Sequence, residues 1–169
     1  MRLFLAILPD EEFRNSLLEM QRDMKRHGIR GSYTPPENLH LTLAFLGECQ
    51  DPDGVMDALN TVPLSPFSFR LEGVGAFDRV FWAGVADSPE LEACAARVRR
   101  ALSANRILYD KKRFRAHITL VRQAREEKPG ALSQVHVPRR SMYVQRISLM
   151  RSDRGKHGMI YTEIGAVEA

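Results

Sequence analysis

The 169-residue chain predicts an α+β fold: two similar lobes related by a pseudo-twofold axis, each an antiparallel sheet with helices packed outside, with a cleft between them. Three observations lead there. The first is a four-residue pattern that occurs twice, His40-Leu41-Thr42-Leu43 and His117-Ile118-Thr119-Leu120, each in an apolar/polar alternation of strand type. The second is the spacing of the copies, 77 residues from His40 to His117, which persists outside the motif. Applied upstream, it pairs Arg2 with Arg79, Phe4 with Phe81, Ala6 with Ala83 and Asp10 with Asp87, with no gap from residue 2 to 45. The third is the order of elements: strand, Asp, amphipathic helix, loop and His strand recur in both halves. The expectation is one bilobal domain over residues 1–169, built from repeats at about 2–75 and 79–152.

Residues 2–8 read as a buried first strand rather than a signal peptide, because the apolar run is short and ends at Pro9-Asp10. Asp10 can cap the helix that follows, in which Phe13, Leu17, Met20 and Met24 form one apolar stripe from about 11 to 27. His27-Gly28 marks its end. Pro35-Pro36 forces an extended approach to the first His strand. A short helix follows, with Val55, Met56 and Leu59 on one side, and Phe67, Phe69 and Leu71 alternate as a strand. Residues 79–86 form another apolar strand. Ser88-Pro89-Glu90 starts a second amphipathic helix carrying Leu91, Ala95, Val98 and Leu102, with Arg97, Arg99 and Arg100 on its solvent side. The basic loop Lys111-Lys112-Arg113 leads into the second His strand. Residues 123–140 read mostly as loop, and 142–150 and 158–164 as two strands joined by a turn.

The hydrophobic share of 44% is that of an ordinary folded protein, enough for a core, and no apolar run reaches membrane-spanning length. With 25 Lys and Arg against 21 Asp and Glu, the net charge of +4 only weakly favours an anionic partner. Cys49 and Cys94 lie in no metal-type spacing and read as free thiols of a reducing cytoplasm.

Alternation sets Leu39, Leu41 and Leu43 on one face, and His40 and Thr42 on the other. Ile118 and Leu120 are likewise buried while His117 and Thr119 project. Two imidazoles, each with a hydroxyl beside it, make a general acid–base site when symmetry turns them toward each other. The competing explanation, a structural His copied by duplication, gives the exposed imidazoles no packing purpose. His27, His136 and His157 have no repeat partner and are taken as surface residues.

The same residues resemble a known family. The opening Arg2-Leu3-Phe4-Leu5-Ala6, the blocks Pro35–Leu43 and Phe45-Leu46-Gly47-Glu48, Gly75-Ala76-Phe77, Trp82-Ala83-Gly84-Val85, Phe114–Arg122 and Ser148–Ser152 together resemble the 2H phosphoesterases, named for two His-x-Thr-x motifs. Within them, the bacterial and archaeal RNA 2′,3′-cyclic phosphodiesterases, also called 2′-5′ RNA ligases, look most similar. Ala116 departs from the family's usual Pro, at a position expected to face the core.

The resemblance implies metal-independent opening of RNA 2′,3′-cyclic phosphate ends to 2′-phosphomonoesters. His40 would be proton donor to the leaving oxygen and His117 proton acceptor from water, with Thr42 and Thr119 donating to non-bridging oxygens. Arg122 is a further phosphate ligand by family habit, although strict alternation puts it on the face opposite His117. Arg115 has the correct parity to bind substrate, or could simply line the cleft mouth. Phe45 could stack on a base, but alternation puts it in the core. Lys111, Lys112 and Arg113 could attract an RNA backbone or simply form a solvated loop. No metal or cofactor is called for, and the expected protein is a cytoplasmic monomer with RNA as partner and no membrane. Alternatives are 2′-5′ ligation or cleavage, action on small cyclic nucleotides, and, outside enzymes, an RNA-end binding module. A His-based metal site ranks last, for want of nearby Asp, Glu or Cys at ligand spacing.

Overall fold

A computed structural model describes residues 1–169. The strands are β1 (Arg2–Ile7), β2 (Ile29–Tyr33), β3 (Leu41–Glu48), β4 (Phe67–Phe77), β5 (Val80–Val85), β6 (His117–Glu126), β7 (Ser141–Val144), β8 (Arg146–Gly155) and β9 (Gly158–Glu168). The helices are α1 (Glu11–Arg26), α2 (Pro52–Leu59) and α3 (Pro89–Ala104). Two antiparallel sheets result, with orders β3-β1-β8-β9 and β2-β6-β5-β4-β7.

The sheets repeat one arrangement. Each sets a His strand, β3 or β6, beside the strand that opens its half of the chain, β1 or β5. The next strand then comes from the other half: β8 pairs with β1, and β4 with β5. The helices cross over too. The helix α1 leaves β1 but packs on β2 and β6, and α3 leaves β5 but packs on β3. One core of 36 buried residues therefore joins both sheets and all three helices. A satellite of Phe4, Ala6 and Met150 lies on the other face of the four-stranded sheet, under Leu8 and Tyr161.

Local chemistry explains the helix ends. Asp10 accepts from the Phe13 amide at 2.8 Å and Ser88 from the Leu91 amide at 3.1 Å, so each satisfies an amide that the first turn leaves unpaired. The stripes Phe13, Leu17, Met20, Met24 and Leu91, Ala95, Val98, Leu102 are all buried.

Four sequence expectations need correction. The gapless repeat fails ahead of the His strands, because the ladders align Leu5 with Phe81 and Ala6 with Trp82, each opposite equivalent residues of β3 and β6. Pairing Phe4 with Phe81 mixes faces, since a one-residue slip reverses every side chain. Phe81 is in the main core, and Phe4 in the satellite. Second, residues 142–150 are not one strand. The chain leaves one sheet and enters the other at Gln145, between β7 on β4 and β8 on β1. Third, β6 continues to Glu126 and a 3-10 turn spans Ala131–Gln134, within the stretch expected to be loop. Fourth, β2 was not foreseen, because only Ile29 of its five residues is buried and no alternation marks it.

Candidate active site

His40 stands immediately before β3 and His117 is the first residue of β6. Thr42 and Thr119 follow on the same faces, partly buried, while Leu41, Leu43, Ile118 and Leu120 are buried in the core. Both His-Thr pairs line one cleft of about 730 Å³, so the structure brings together the two motifs that the sequence singles out.

The ladders then break alternation at equivalent places. In β3, Thr42 faces Ala6 and Ala44 faces Leu5, so Leu43 is an extra residue. In β6, Thr119 faces Trp82 and Val121 faces Phe81, so Leu120 is extra. A one-residue bulge inverts the parity of everything after it. Arg122, which strict alternation puts on the core face, is exposed and lines the cleft with both histidines. Phe45 occupies the equivalent place after the first bulge. It is 52% exposed and lines the cleft too, which overturns its placement in the core.

Backbone carbonyls orient the imidazoles. His40 Nδ1 lies 2.7 Å from the Asn38 carbonyl oxygen, and His117 Nδ1 lies 2.5 Å from that of Arg115. A carbonyl only accepts, so Nδ1 carries the proton in both rings and Nε2 remains as the working nitrogen. Each ring also sits between two aromatics. Phe4 tilts against His40 at 4.9 Å and Tyr161 meets it edge-on at 5.4 Å. Phe77 meets His117 edge-on at 5.0 Å, and Trp82 tilts against it at 5.9 Å. Trp82 reaches this position over Gly75, where a Cβ would come within 2.2 Å of the indole ring.

The same residues that accept from the imidazoles secure the aromatic walls. Asn38 Nδ2 donates to the Met159 carbonyl at 2.9 Å, holding β9 and with it Tyr161. Arg115 lays its guanidinium 4.9 Å from the centre of the Phe77 ring. Arg115 lines the adjoining pocket with Phe45, Phe77 and Arg113 rather than the main cleft.

Electrostatics favours the neutral imidazoles. Burial is the main force lowering the pKa of His40, with Arg122 and His117 adding to it and the Asn38 bond opposing. For His117, burial again leads, Arg122 and Arg115 add to it, and the Arg115 carbonyl opposes. One guanidinium, that of Arg122, acts on both rings.

The basic loop is fastened to the first His strand. The Asp110 amide donates to the Phe45 carbonyl at 2.8 Å, and Arg99 donates to the Lys112 carbonyl at 2.7 Å. Lys112 lines the cleft, whereas Lys111 and Arg113 do not reach it. His136 and His157 are exposed, and His27 ends α1 with Nδ1 2.9 Å from the Asp23 carbonyl. Sequence reasoning missed Tyr161, Phe4, Phe77 and Trp82 as site walls. Phe77 and Trp82 lie in apolar strand segments, each two residues from a glycine, a signal indistinguishable from core packing.

Comparison with known proteins agrees with this geometry. The model of the 2′-5′ RNA ligase superfamily matches residues 9–156. The RNA 2′,3′-cyclic phosphodiesterase of Archaeoglobus fulgidus is 36% identical over 75% of this chain and 74% of its own. That of Thermus thermophilus is 35% identical over 96% and 87%. The crystal structure of E. coli LigT in apo form superposes with a TM-score of 0.81 at 26% identity, covering 99% of this chain and 96% of LigT. LigT has also been solved with 3′-AMP, with a TM-score of 0.80. Two antiparallel sheets carrying paired His-x-Thr segments, and a family match over most of the length, lead to one conclusion: the chain belongs to the 2′-5′ RNA ligase superfamily, the 2H phosphoesterases.

Proposed function

We propose that the protein opens 2′,3′-cyclic phosphate ends of RNA to 2′-phosphomonoesters, by acid–base catalysis between His40 and His117. The observation that carries this reading is the matched orientation of the imidazoles, each held at Nδ1 by a carbonyl and each leaving Nε2 to the same cleft. The names of the Archaeoglobus and Thermus relatives support the substrate.

The reaction is an in-line displacement at phosphorus. His117 Nε2 takes a proton from water as its oxygen bonds to phosphorus. The P–O3′ bond breaks on the opposite side, and His40 Nε2–H delivers its proton to the departing O3′. His117 ends protonated and His40 neutral, and exchange with solvent resets the pair. Thr42, Thr119 and Arg122 donate to the non-bridging oxygens, where charge grows in the transition state. Burial suits His117, which must start neutral, and works against His40, which must start protonated. The phosphate anion reverses that for His40, because a negative charge beside an imidazole favours its charged form.

Exposed Phe45 offers a nucleoside a stacking face, and Lys112 offers the RNA backbone a charge. The reading assigns no metal to the site. Free Cys49 and Cys94 fit a cytoplasmic protein, which we take to act as a monomer. The superfamily's name gives one specific ground for a second activity, 2′-5′ ligation. It is the same displacement with a 5′-hydroxyl in place of water, so His117 and His40 keep their roles; cleavage of a 2′-5′ linkage back to the cyclic end exchanges them.

The test is an oligoribonucleotide with a 2′,3′-cyclic end, incubated with the protein in excess chelator. A 2′-monophosphate end is expected. A 3′-monophosphate end, or activity that the chelator abolishes, would overturn the reading.

A further inference from the structure

The two bulges that turn Phe45 and Arg122 onto the histidine face are each held by a side chain from a helix. Gln21 Nε2 donates to the carbonyl of Leu120, the extra residue of β6, at 2.9 Å. Arg99 Nε donates to the carbonyl of Leu43, the extra residue of β3, at 3.0 Å. Gln21 is the eleventh residue of α1 and Arg99 the eleventh of α3, so the two contacts are equivalent under the repeat. Each helix reaches across to the strand of the opposite half.

Neither side chain is explained by packing alone. Gln21 is a polar residue 6% exposed inside an apolar stripe, and its amide also donates to the Thr34 carbonyl at 2.9 Å. It thereby reinforces a tie between β6 and the segment after β2, where the Thr34 amide donates to the same Leu120 carbonyl at 3.0 Å. Arg99 lies on an edge, because β3 has no neighbour on its outer side. There the Leu43 carbonyl would otherwise have no strand to meet, and a bulge at an open edge can relax into regular pairing. Relaxation at either place would flip the following residues and return Arg122, or Phe45, to the core face.

We infer that Gln21 and Arg99 are positioning residues for the reaction, Gln21 acting through Arg122 and Arg99 through Phe45. The inference rests on the proposed function for its activity readout and on phosphate binding otherwise. Gln21 lines neither the main cleft nor the adjoining pocket, so its effect on phosphate passes through the bulge, whereas Arg99 lines the adjoining pocket with Thr42, Phe45 and His117. Arg99 carries a second load through the Lys112 carbonyl, which couples it to the basic loop on the same side.

Double-mutant cycles test this, with adenosine 2′,3′-cyclic monophosphate as turnover probe and inorganic phosphate as binding probe. Gln21→Met, which keeps the side-chain length and removes the donor, should lower kcat/KM and phosphate affinity on the order of tenfold. Combined with Arg122→Gln, it should cost no more than Arg122→Gln alone. Arg99→Met should raise KM and couple to Phe45→Ala but not to Arg122→Gln, and Arg99→Lys, which retains a donor, should recover most of the loss. Losses that multiply in the Gln21/Arg122 pair, or unchanged phosphate affinity beside a lowered melting temperature, would reduce Gln21 to a structural residue and overturn the inference. Should Gln21→Met be unfolded by circular dichroism, the Arg99 cycle decides. A wild-type protein that binds phosphate but opens neither the cyclic nucleotide nor a cyclic-ended oligoribonucleotide would refute the proposed activity, and the phosphate titrations would then decide the inference alone.

Discussion

Replacing Arg122 by Gln isolates one charge that touches three parts of the mechanism. The bulge at Leu120 brings it to the cleft, and its guanidinium depresses both imidazole pKa values. In its proposed role as donor to a non-bridging oxygen it would make a charge-assisted hydrogen bond, a class that contributes about 1.5–3 kcal/mol. At about 1.4 kcal/mol per decade, kcat/KM should fall roughly tenfold to 150-fold. The pH profile supplies a signature that mere loss of binding lacks. The ascending limb follows the group that must be neutral, His117, and the descending limb the group that must be protonated, His40. Removing a positive charge relieves the depression at both, so both limbs should move to higher pH and the whole bell should shift that way. The assay is initial rates on a 2′,3′-cyclic mononucleotide from pH 5 to 9 at constant ionic strength. A bell that stays in place or moves down, or a loss under about twofold, would refute the proposed action of Arg122 on both rings and on the phosphate.

Other consequences reach different parts of the molecule. His40→Ala should lose about 10²- to 10⁴-fold on a cyclic ribonucleotide but far less on a diester with a nitrophenolate leaving group, which needs no proton, whereas His117→Ala should lose on both. Equal losses for His40→Ala on the two substrates would remove it as the acid. Phe45→Ala should change stability by no more than about 0.5 kcal/mol in urea unfolding, since the ring is exposed, while raising KM for cyclic-ended RNA; a cost above about 2 kcal/mol would return the ring to the core. Gly75→Ala should destabilise by about 1–3 kcal/mol, because its Cβ meets the Trp82 ring at 2.2 Å, and should slow turnover by displacing the wall of His117. Unchanged stability there would mean that the indole has room to move.

What the sequence revealed and what it hid follow from one property of strands. Period-two alternation is local, so the faces of Leu41, Thr42, Ile118 and Thr119 could be read residue by residue, and all four lie as expected. The amphipathic stripes and the caps Asp10 and Ser88 are local in the same sense. A bulge is different. It is a relation between two strands, decided by what the partner strand opposes, and nothing within Leu120-Val121-Arg122 announces it. Alternation therefore misplaces Phe45 outright, and leaves Arg122 to family resemblance alone. The break at Gln145 is hidden for the same reason, since β7 and β8 differ in their partners rather than their composition. The repeat stays legible at the His strands and slips by one residue at β1 and β5, where similar residue types, Phe4 and Phe81, sit on opposite faces.

The central claim is that two equivalent imidazoles divide into acid and base across one phosphate. The most direct measurement is kcat/KM against pH for opening of a 2′,3′-cyclic end in excess chelator, with wild type beside His40→Ala and His117→Ala. A bell is predicted for wild type, with the descending limb absent from the residual rate of His40→Ala and the ascending limb absent from that of His117→Ala. A flat wild-type profile, or either variant turning over at the wild-type rate, would contradict it.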